Sequence, residues 1–257
     1  MKLNQVAIQL FTLRDHCKTL EDFTKTIQKV SKIGYRAAQV SGIGPIPEED
    51  VIKVLKGEGI VCCATHESPD LILKEPQRVI DRLGKLECTY TAYPYPGGVD
   101  LKSEASVTEM IQGLNRSGEI LHRAGKVLCY HNHGKEFAKL GNSTILEKIY
   151  TETDSQFLQG ELDTYWVQTG GGDNVAWCRK LRNRTPLLHI KDYGIDPQTE
   201  QPTYMEIGSG NLNFKEIIEA ADQSACLWYI VEQDTCPGDP FDSVQKSFDY
   251  IKKYLVS

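Results

Sequence analysis

Val6-Ala7-Ile8-Gln9-Leu10-Phe11, followed after a short gap by Leu20-Glu21-Asp22-Phe23-Thr24-Lys25-Thr26-Ile27-Gln28-Lys29-Val30-Ser31-Lys32-Ile33-Gly34, reads as one strand and then one helix. The first run is short, β-rich and apolar, as a strand buried in a parallel sheet is. In the second, Leu20, Phe23, Ile27 and Val30 fall at helical spacing and predict one apolar stripe. Gly34 stands where a glycine commonly ends a helix.

The unit then repeats to the end of the chain. Further strands are expected at 35–40, 60–65, 86–92, 127–131, 158–163, 186–190 and 227–232. Helices are expected near 48–57, 75–84, 104–124, 143–152, 174–182, 213–221 and 241–254. With the first pair, that makes eight strands and eight helices. Eight βα units with no spare element favour a closed barrel over an open doubly wound sheet. The fold class expected is therefore α/β, a single (β/α)8 barrel, with residues 1–257 as one domain. The length of 257 residues fits, since such barrels usually take about 250.

Composition narrows the functional classes. Hydrophobic residues are 40% and charged residues 25%, the usage of an ordinary globular chain rather than a disordered one. The net charge of −6 is a poor match to phosphate backbones, so no nucleic-acid partner is expected. The basic stretch Arg179, Lys180, Arg182 and Arg184 reads as the solvated face of a helix and its exit. No apolar run reaches the roughly 18 to 20 residues of a membrane span, and no signal peptide is visible at the start. The eight cysteines form no C-x-x-C pair and several sit in apolar runs, so buried free thiols and a reducing, cytoplasmic location are expected. The two glycine-rich spots, 170–172 and Gly208-x-Gly210, read as rim turns rather than a dinucleotide fingerprint.

In a parallel barrel the active site is built at the C-terminal ends of the strands. Four late strands end in metal-ligating side chains: His131 in Tyr130-His131-Asn132-His133, Asp163 in Glu161-Leu162-Asp163, His189 in Leu188-His189-Ile190-Lys191-Asp192, and Glu232 in Val231-Glu232. Their separations of 32, 26 and 43 residues each accommodate one βα unit, so every ligand comes from its own strand. Oxygen and imidazole donors without thiolate suit Mn2+, Mg2+, Co2+ or Zn2+. Taken singly, Asp163 is as readily a helix cap and His189 a satisfied core histidine; it is their convergence that points to a metal. Strand alternation places His131 and His133 on one face, with Asn132 on the other.

Around these residues the chain resembles the xylose isomerase-like TIM barrels, the group of sugar phosphate isomerases/epimerases that also takes in inosose dehydratases, ketose 3-epimerases and endonuclease IV. The resemblance is carried by Gln9-Leu10-Phe11-Thr12-Leu13-Arg14-Asp15, Lys32-Ile33-Gly34-Tyr35, Tyr130-His131-Asn132-His133-x-x-Glu136-Phe137, Leu162-Asp163-Thr164-Tyr165-Trp166, His189-Ile190-Lys191-Asp192, Gly208-x-Gly210 and Val231-Glu232-Gln233-Asp234. It implies a metal held by an acidic residue from strand five together with Asp163, His189 and Glu232. Here the strand-five position matches His131, and His131, His133 or Glu136 completes the shell. Gln39 departs in the same way, standing where many relatives have Glu.

Such a site predicts carbon-acid chemistry. A divalent ion chelated by a hydroxy-ketone polarises the carbonyl while a neighbouring base removes the proton beside it. Glu232 is expected as a ligand close to, or serving as, the base. His133 and Glu136 are candidates for the opposite face, and Lys191 for an electrophilic or hydroxyl-binding role, with a solvated Lys191–Asp192 pair as the alternative. Phe11, Tyr93, Trp166 and His66 are candidate substrate contacts; Tyr95 and Tyr193 also qualify by position. Arg14 and Asp15 read as an ion pair. The leading expectation is a sugar isomerase or epimerase acting on a keto-sugar or cyclitol, with a dehydratase or lyase as runner-up. An endonuclease IV-like phosphodiesterase and a non-catalytic sugar-binding barrel follow as rivals. No basic phosphate clamp stands out. The partner expected is a small sugar, and barrels of this kind often form homo-oligomers. Specificity is expected to come from rim loops 93–103, 164–173 and 193–207.

Overall fold

The structure, a computed structural model, describes residues 1–256. Eight parallel strands close into a barrel: β1 (Val6–Gln9), β2 (Ala37–Val40), β3 (Val61–His66), β4 (Tyr90–Tyr93), β5 (Val127–His131), β6 (Leu158–Asp163), β7 (Leu187–Ile190) and β8 (Trp228–Val231). Each pairs with its neighbour in sequence, and β1 closes on β8 through Val6–Tyr229 and Ile8–Val231. Among the described residues ten α-helices surround them: α1 (Leu20–Ile33), α2 (Glu48–Gly57), α3 (Pro69–Lys74), α4 (Pro76–Lys85), α5 (Glu104–Arg123), α6 (Ile145–Thr151), α7 (Thr164–Thr169), α8 (Asn174–Lys180), α9 (Phe214–Gln223) and α10 (Pro240–Tyr254). The expected (β/α)8 architecture is the one observed. Among the described residues no helix is long and apolar enough to cross a membrane.

Local chemistry explains where the elements begin and end. Thr19 caps α1 by accepting a hydrogen bond from the Asp22 amide, and Phe23, Ile27 and Val30 bury its inner face. Leu20, expected in that stripe, is 40% exposed because it sits on the first turn beside the cap. Gly34 ends the helix at φ 126°, and a Cβ there would lie 2.6 Å from the Phe248 ring. The first strand stops at Gln9, short of the expected Phe11. The Gln9 side chain accepts from the Phe11 amide and turns residues 10–16 into 3-10 helix.

Several connections carry more structure than expected. The stretch before 145 is a hairpin, Lys139–Leu140 with Ser143–Thr144, and Thr144 then caps α6 in a capping box with Glu147. The count of eight helices is also too low. Ser68 and Pro69 start the short α3, and Asp163 caps the short α7 inside what was expected as a rim loop. Loop 193–207 is largely a hairpin, Asp192–Ile195 against Pro202–Met205.

The pleat sorts side chains into two cores. Outward residues such as Ile8, Val40, Leu128, Leu162, Leu188 and Val231 pack under the helices in the large hydrophobic core. Inward residues Ala7, Ala37, Cys63, Ala64, Ala92, Cys129, Leu187 and Ile230 fill the lower lumen as a separate apolar plug. Two residues further along the same strands the inward positions turn polar: Gln9, Gln39, His131, His189 and Glu232, all buried. The site rests on this plug. All eight cysteines are free thiols and only Cys236 is not fully buried, as expected for structural thiols. The basic stretch is not all solvated, since Arg184 donates to the carbonyls of Tyr150, Thr153 and Leu158.

Candidate active site

Strand ends β5 to β8 bring His131, Asp163, His189 and Glu232 together, with one donor atom from each lying within 4.8 Å of the others. His189 Nδ1 is 3.1 Å from Glu232 Oε2 and 3.9 Å from Asp163 Oδ2. Asp163 divides its work: Oδ1 accepts from the Trp166 amide at 2.9 Å and caps α7, while Oδ2 is buried with no hydrogen-bond partner. Asn132, on the opposite face of the chain from its two histidine neighbours, accepts from the Asp163 amide and fixes that strand end.

Lys191 completes the cluster. It is 1% exposed, and its Nζ lies 2.8 Å from Asp234 Oδ2, 3.2 Å from Glu232 Oε2 and 3.6 Å from Asp163 Oδ2. The rings of Trp166, Tyr204 and Tyr165 stand 5.2, 5.1 and 5.8 Å from it. Its alternative reading, a solvated pair with Asp192, is overturned. Asp192 is turned away and accepts four backbone N–H groups, those of Tyr193, Gly208, Gly210 and Leu212. The Gly208-x-Gly210 motif wraps this carboxylate, and a Cβ on Gly210 would lie 2.5 Å from Asp192 Oδ1.

Electrostatics follow from burial and from these neighbours. Burial alone would hold the His189 imidazolium down, but the Glu161 and Glu232 carboxylates outweigh it and raise its pKa to about 10. Lys191 is likewise pulled down by burial and driven up further by Glu232, Asp163 and Asp234. Burial lifts Asp163 to about 7, the opposing charges of Lys191 and His189 notwithstanding. His131 and His133 go the other way, to about 4 and about 2, because burial and neighbouring cations disfavour their charged forms.

Above the cluster opens a cavity of about 360 Å³ lined by Phe11, Tyr95, His66, His133, Trp166 and Lys191 among others. Phe11 is backed by the Arg14 guanidinium, 4.4 Å from its ring centroid. Arg14 makes no pair with Asp15; it donates to the carbonyls of Phe11 and Asp234, while Asp15 lies near Lys18. His133 and Trp166 stand side by side, ring centroids 5.1 Å apart.

Three candidate contacts or bases do not reach the cavity: Tyr193, which packs on Tyr165 with ring centroids 5.6 Å apart, Tyr93 and Glu136. Tyr93 follows the inward Ala92, so the pleat turns it outward to stack on Tyr130 at 5.7 Å, and Tyr95 occupies the wall instead. Glu136 is buried in the same outer layer. It accepts from the Tyr130 hydroxyl and from the His133 amide, both at 3.0 Å, and so serves as a cap for the turn Gly134–Phe137. The shell alternative through Glu136 therefore has no geometric support.

Two acids escaped the sequence-based expectation, the buried Glu161 and the partly exposed Asp234. Each lies two residues from a candidate ligand, Asp163 or Glu232, and the strand period of two was the available signal. Glu161 Oε2 is 2.5 Å from His66 Nε2, 3.3 Å from His131 Nδ1 and 3.4 Å from His189 Nε2.

The donor set fits a divalent cation. Two imidazoles and two carboxylates converge with no thiolate, and both Asp163 Oδ2 and His131 Nδ1 are buried without a hydrogen-bond partner. A set of this kind at the C-terminal mouth of a barrel defines a class of protein. Residues 27–254 match the family described as Xylose isomerase-like TIM barrel, and the chain belongs to that family. Inosose dehydratase from Geobacillus thermodenitrificans (strain NG80-2) is 26% identical over 160 residues, covering 56% of this chain and 53% of that protein. The chain spans about half the length of the curated relatives it matches. A sugar phosphate isomerase/epimerase from Parabacteroides distasonis ATCC 8503 superposes with a TM-score of 0.84 at 24% identity, covering 98% and 95% of the two chains. A xylose isomerase-like TIM barrel protein from Mycobacterium smegmatis, in complex with magnesium, superposes at 0.73 with 14% identity, covering 98% and 97%. At these identities the two structures establish a shared fold.

Proposed function

We propose that this chain is a metal-dependent enzyme that removes the proton beside the carbonyl of a keto-sugar or keto-cyclitol. The observation that carries the proposal is the convergence of His131, Asp163, His189 and Glu232 with a buried Lys191 on the floor of an aromatic-walled cavity. A divalent ion held by the four ligands supplies positive charge where the carbonyl oxygen becomes negative.

The chain's own residues supply the rest. Glu232, which lines the cavity beside Lys191, is the proposed base. Lys191 presents an ammonium group to a substrate oxygen, held in place by three carboxylates. Trp166 and Phe11 offer flat apolar faces to the C–H side of a ring, and His66 and His133 offer polar edges. Among the described residues lining the cavity, Lys191 is the one Lys or Arg side chain, and it is already neutralised. That composition favours an unphosphorylated substrate over a sugar phosphate.

Isomerisation or epimerisation is the first reading of the outcome. Elimination of water is the second, and one observation favours it: Glu136, the second carboxylate a symmetric two-base exchange would use, is turned out of the cavity. The dehydratase names of the curated relatives support the same reading. The test is incubation of manganese-loaded protein with keto-sugars and inososes in deuterated water. Deuterium at the carbon next to the carbonyl without loss of water indicates isomerase or epimerase, and loss of water indicates a dehydratase. Glu232→Gln should abolish exchange; unchanged exchange removes Glu232 from the role of base. A protein that neither binds divalent ions nor exchanges with any of these compounds refutes the proposal.

A further inference from the structure

Glu161 and Gln39 take no part in the chemistry above, yet both side chains are completely buried beneath it. Gln39 Nε2 donates to Glu161 Oε1 at 2.7 Å, and Gln39 Oε1 lies 2.7 Å from His189 Nε2 and accepts from Gln9 Nε2 at 2.9 Å. Glu161 Oε2 meets His66 Nε2 at 2.5 Å. Every polar atom of Gln39 and Glu161 thus has a partner, in contrast to Asp163 Oδ2 one layer above.

The order of donors and acceptors in this chain is fixed from one end. A carboxylate among three imidazoles only accepts hydrogen bonds, so the Gln39 amide must turn its NH2 to Glu161 and its oxygen to His189. That oxygen in turn demands a proton on His189 Nε2. Without a cation, Glu161 and Glu232 hold the ring as imidazolium; bound to one, the ring would be neutral with a single N–H, and with that proton on Nε2 the lone pair would be left on Nδ1. Nδ1 is the nitrogen that faces Glu232 and Asp163.

We infer that Glu161, acting through Gln39, is a positioning residue that holds His189 with Nε2 protonated and so presents Nδ1 as the ligand atom. This inference rests on the metal-centre reading and assigns the residues beneath it. It also explains glutamine at position 39. A glutamate there would set two carboxylates face to face in the lumen and could not donate to Glu161.

A second cation bound by His66, His131, Glu161 and His189 is the competing assignment, since their donor atoms also lie within 4.8 Å of one another. His189 offers Nε2 to that set and Nδ1 to the upper one. Filling both at once would require an imidazole stripped of both N–H protons, which a hydrogen bond to the Gln39 oxygen opposes. Carboxylate or amide partners behind metal-bound histidines are the usual way to fix the ring and its tautomer, and their loss typically costs 10–100-fold in metal affinity.

The test uses full-length protein, with Mn2+ affinity measured by calorimetry and histidine 15N spectra recorded on the Zn2+-loaded form. In wild type, His189 should show a proton on Nε2 and a metal-shifted Nδ1. Glu161→Gln is isosteric, and Gln39→Leu removes the acceptor, so each should weaken Mn2+ binding about 10–100-fold while leaving the far-ultraviolet circular dichroism unchanged. Wild-type coordination through Nε2, two equivalents of tightly bound ion, or undiminished affinity in both variants overturns the relay and leaves the metal centre standing. A wild-type protein that takes up no divalent ion overturns the metal centre, and the relay's ligand role with it.

Discussion

Replacing Lys191 by methionine keeps the volume of the side chain and removes its charge. Three carboxylates, Asp163, Glu232 and Asp234, lie within 3.6 Å of the ammonium, and the first two are buried. Removing one partner of a buried ion pair typically costs about 3–5 kcal/mol, because the remaining charge stays desolvated. Two features hold the cost here near the lower end. Asp234 is 25% exposed on its side chain, and Asp163, already raised to about 7, takes up a proton readily. About 3 kcal/mol in a chain of this size corresponds to a fall in Tm of about 6–12 °C, at about 2–4 °C per kcal/mol. Thermal melts with EDTA should show that drop. Saturating Mn2+ should then stabilise Lys191→Met more than wild type, since the ion replaces a missing positive charge and meets no resident ammonium. A variant that melts within 2 °C of wild type in EDTA, or that gains no more from Mn2+ than wild type does, refutes the view of Lys191 as the counter-charge of the site.

Gly210→Ala places a methyl group 2.5 Å from both Asp192 Oδ1 and the Tyr193 carbonyl oxygen, so it should cost about 1–3 kcal/mol by chemical denaturation; a loss under 0.5 kcal/mol would mean that the loop gives way freely. Thiol titration with an aromatic disulfide should find one fast-reacting group, Cys236, in native protein and eight after unfolding, because burial raises thiols such as Cys17, pushed up to about 12. Glu147 is held down at about 2 by Lys180 and the Thr144 amide. Its folded value lies below the unfolded one, so its stabilisation is present above about pH 4.3 and fades as pH falls towards 2. Glu147→Gln should therefore destabilise by about 0.5 kcal/mol at pH 7, and comparison of urea midpoints should show the gap closing at low pH. Trp166→Ala, which removes one aromatic wall, should raise KM for the substrate with little change in Tm; an unchanged KM would take Trp166 out of the binding surface.

Much of this was legible in the sequence because strands and helices announce themselves by period and punctuation. The bounds expected for α1 and α2 and for β5 and β6 agree with those observed. The candidate ligand positions followed from the rule that barrel sites lie at strand ends. The errors share a cause: short-range hydrogen bonds that no period encodes. Gln9 folds back on Phe11 and ends β1 early, Asp163 starts a helix where a loop was expected, and Glu136 turns back to cap His133 instead of facing the cavity. Tyr93 failed for a simpler reason: it is one residue past the inward Ala92, where the pleat turns a side chain outward. Glu161 was hidden because it lies two residues before the strand end, where the lumen continues one layer lower.

The Asp192 carboxylate, caged by four amide groups, has a mechanical meaning for the whole mouth of the barrel. It clamps both feet of the hairpin 192–205 to the strand that carries His189, leaving the tip at 196–201 to project from a fixed base. Changes of length or composition at that tip should leave the candidate ligands where they are. The rim and the chemical centre are thereby separable parts: no residue of 196–201 lines the cavity, and a library confined to that tip should leave divalent-ion binding unchanged.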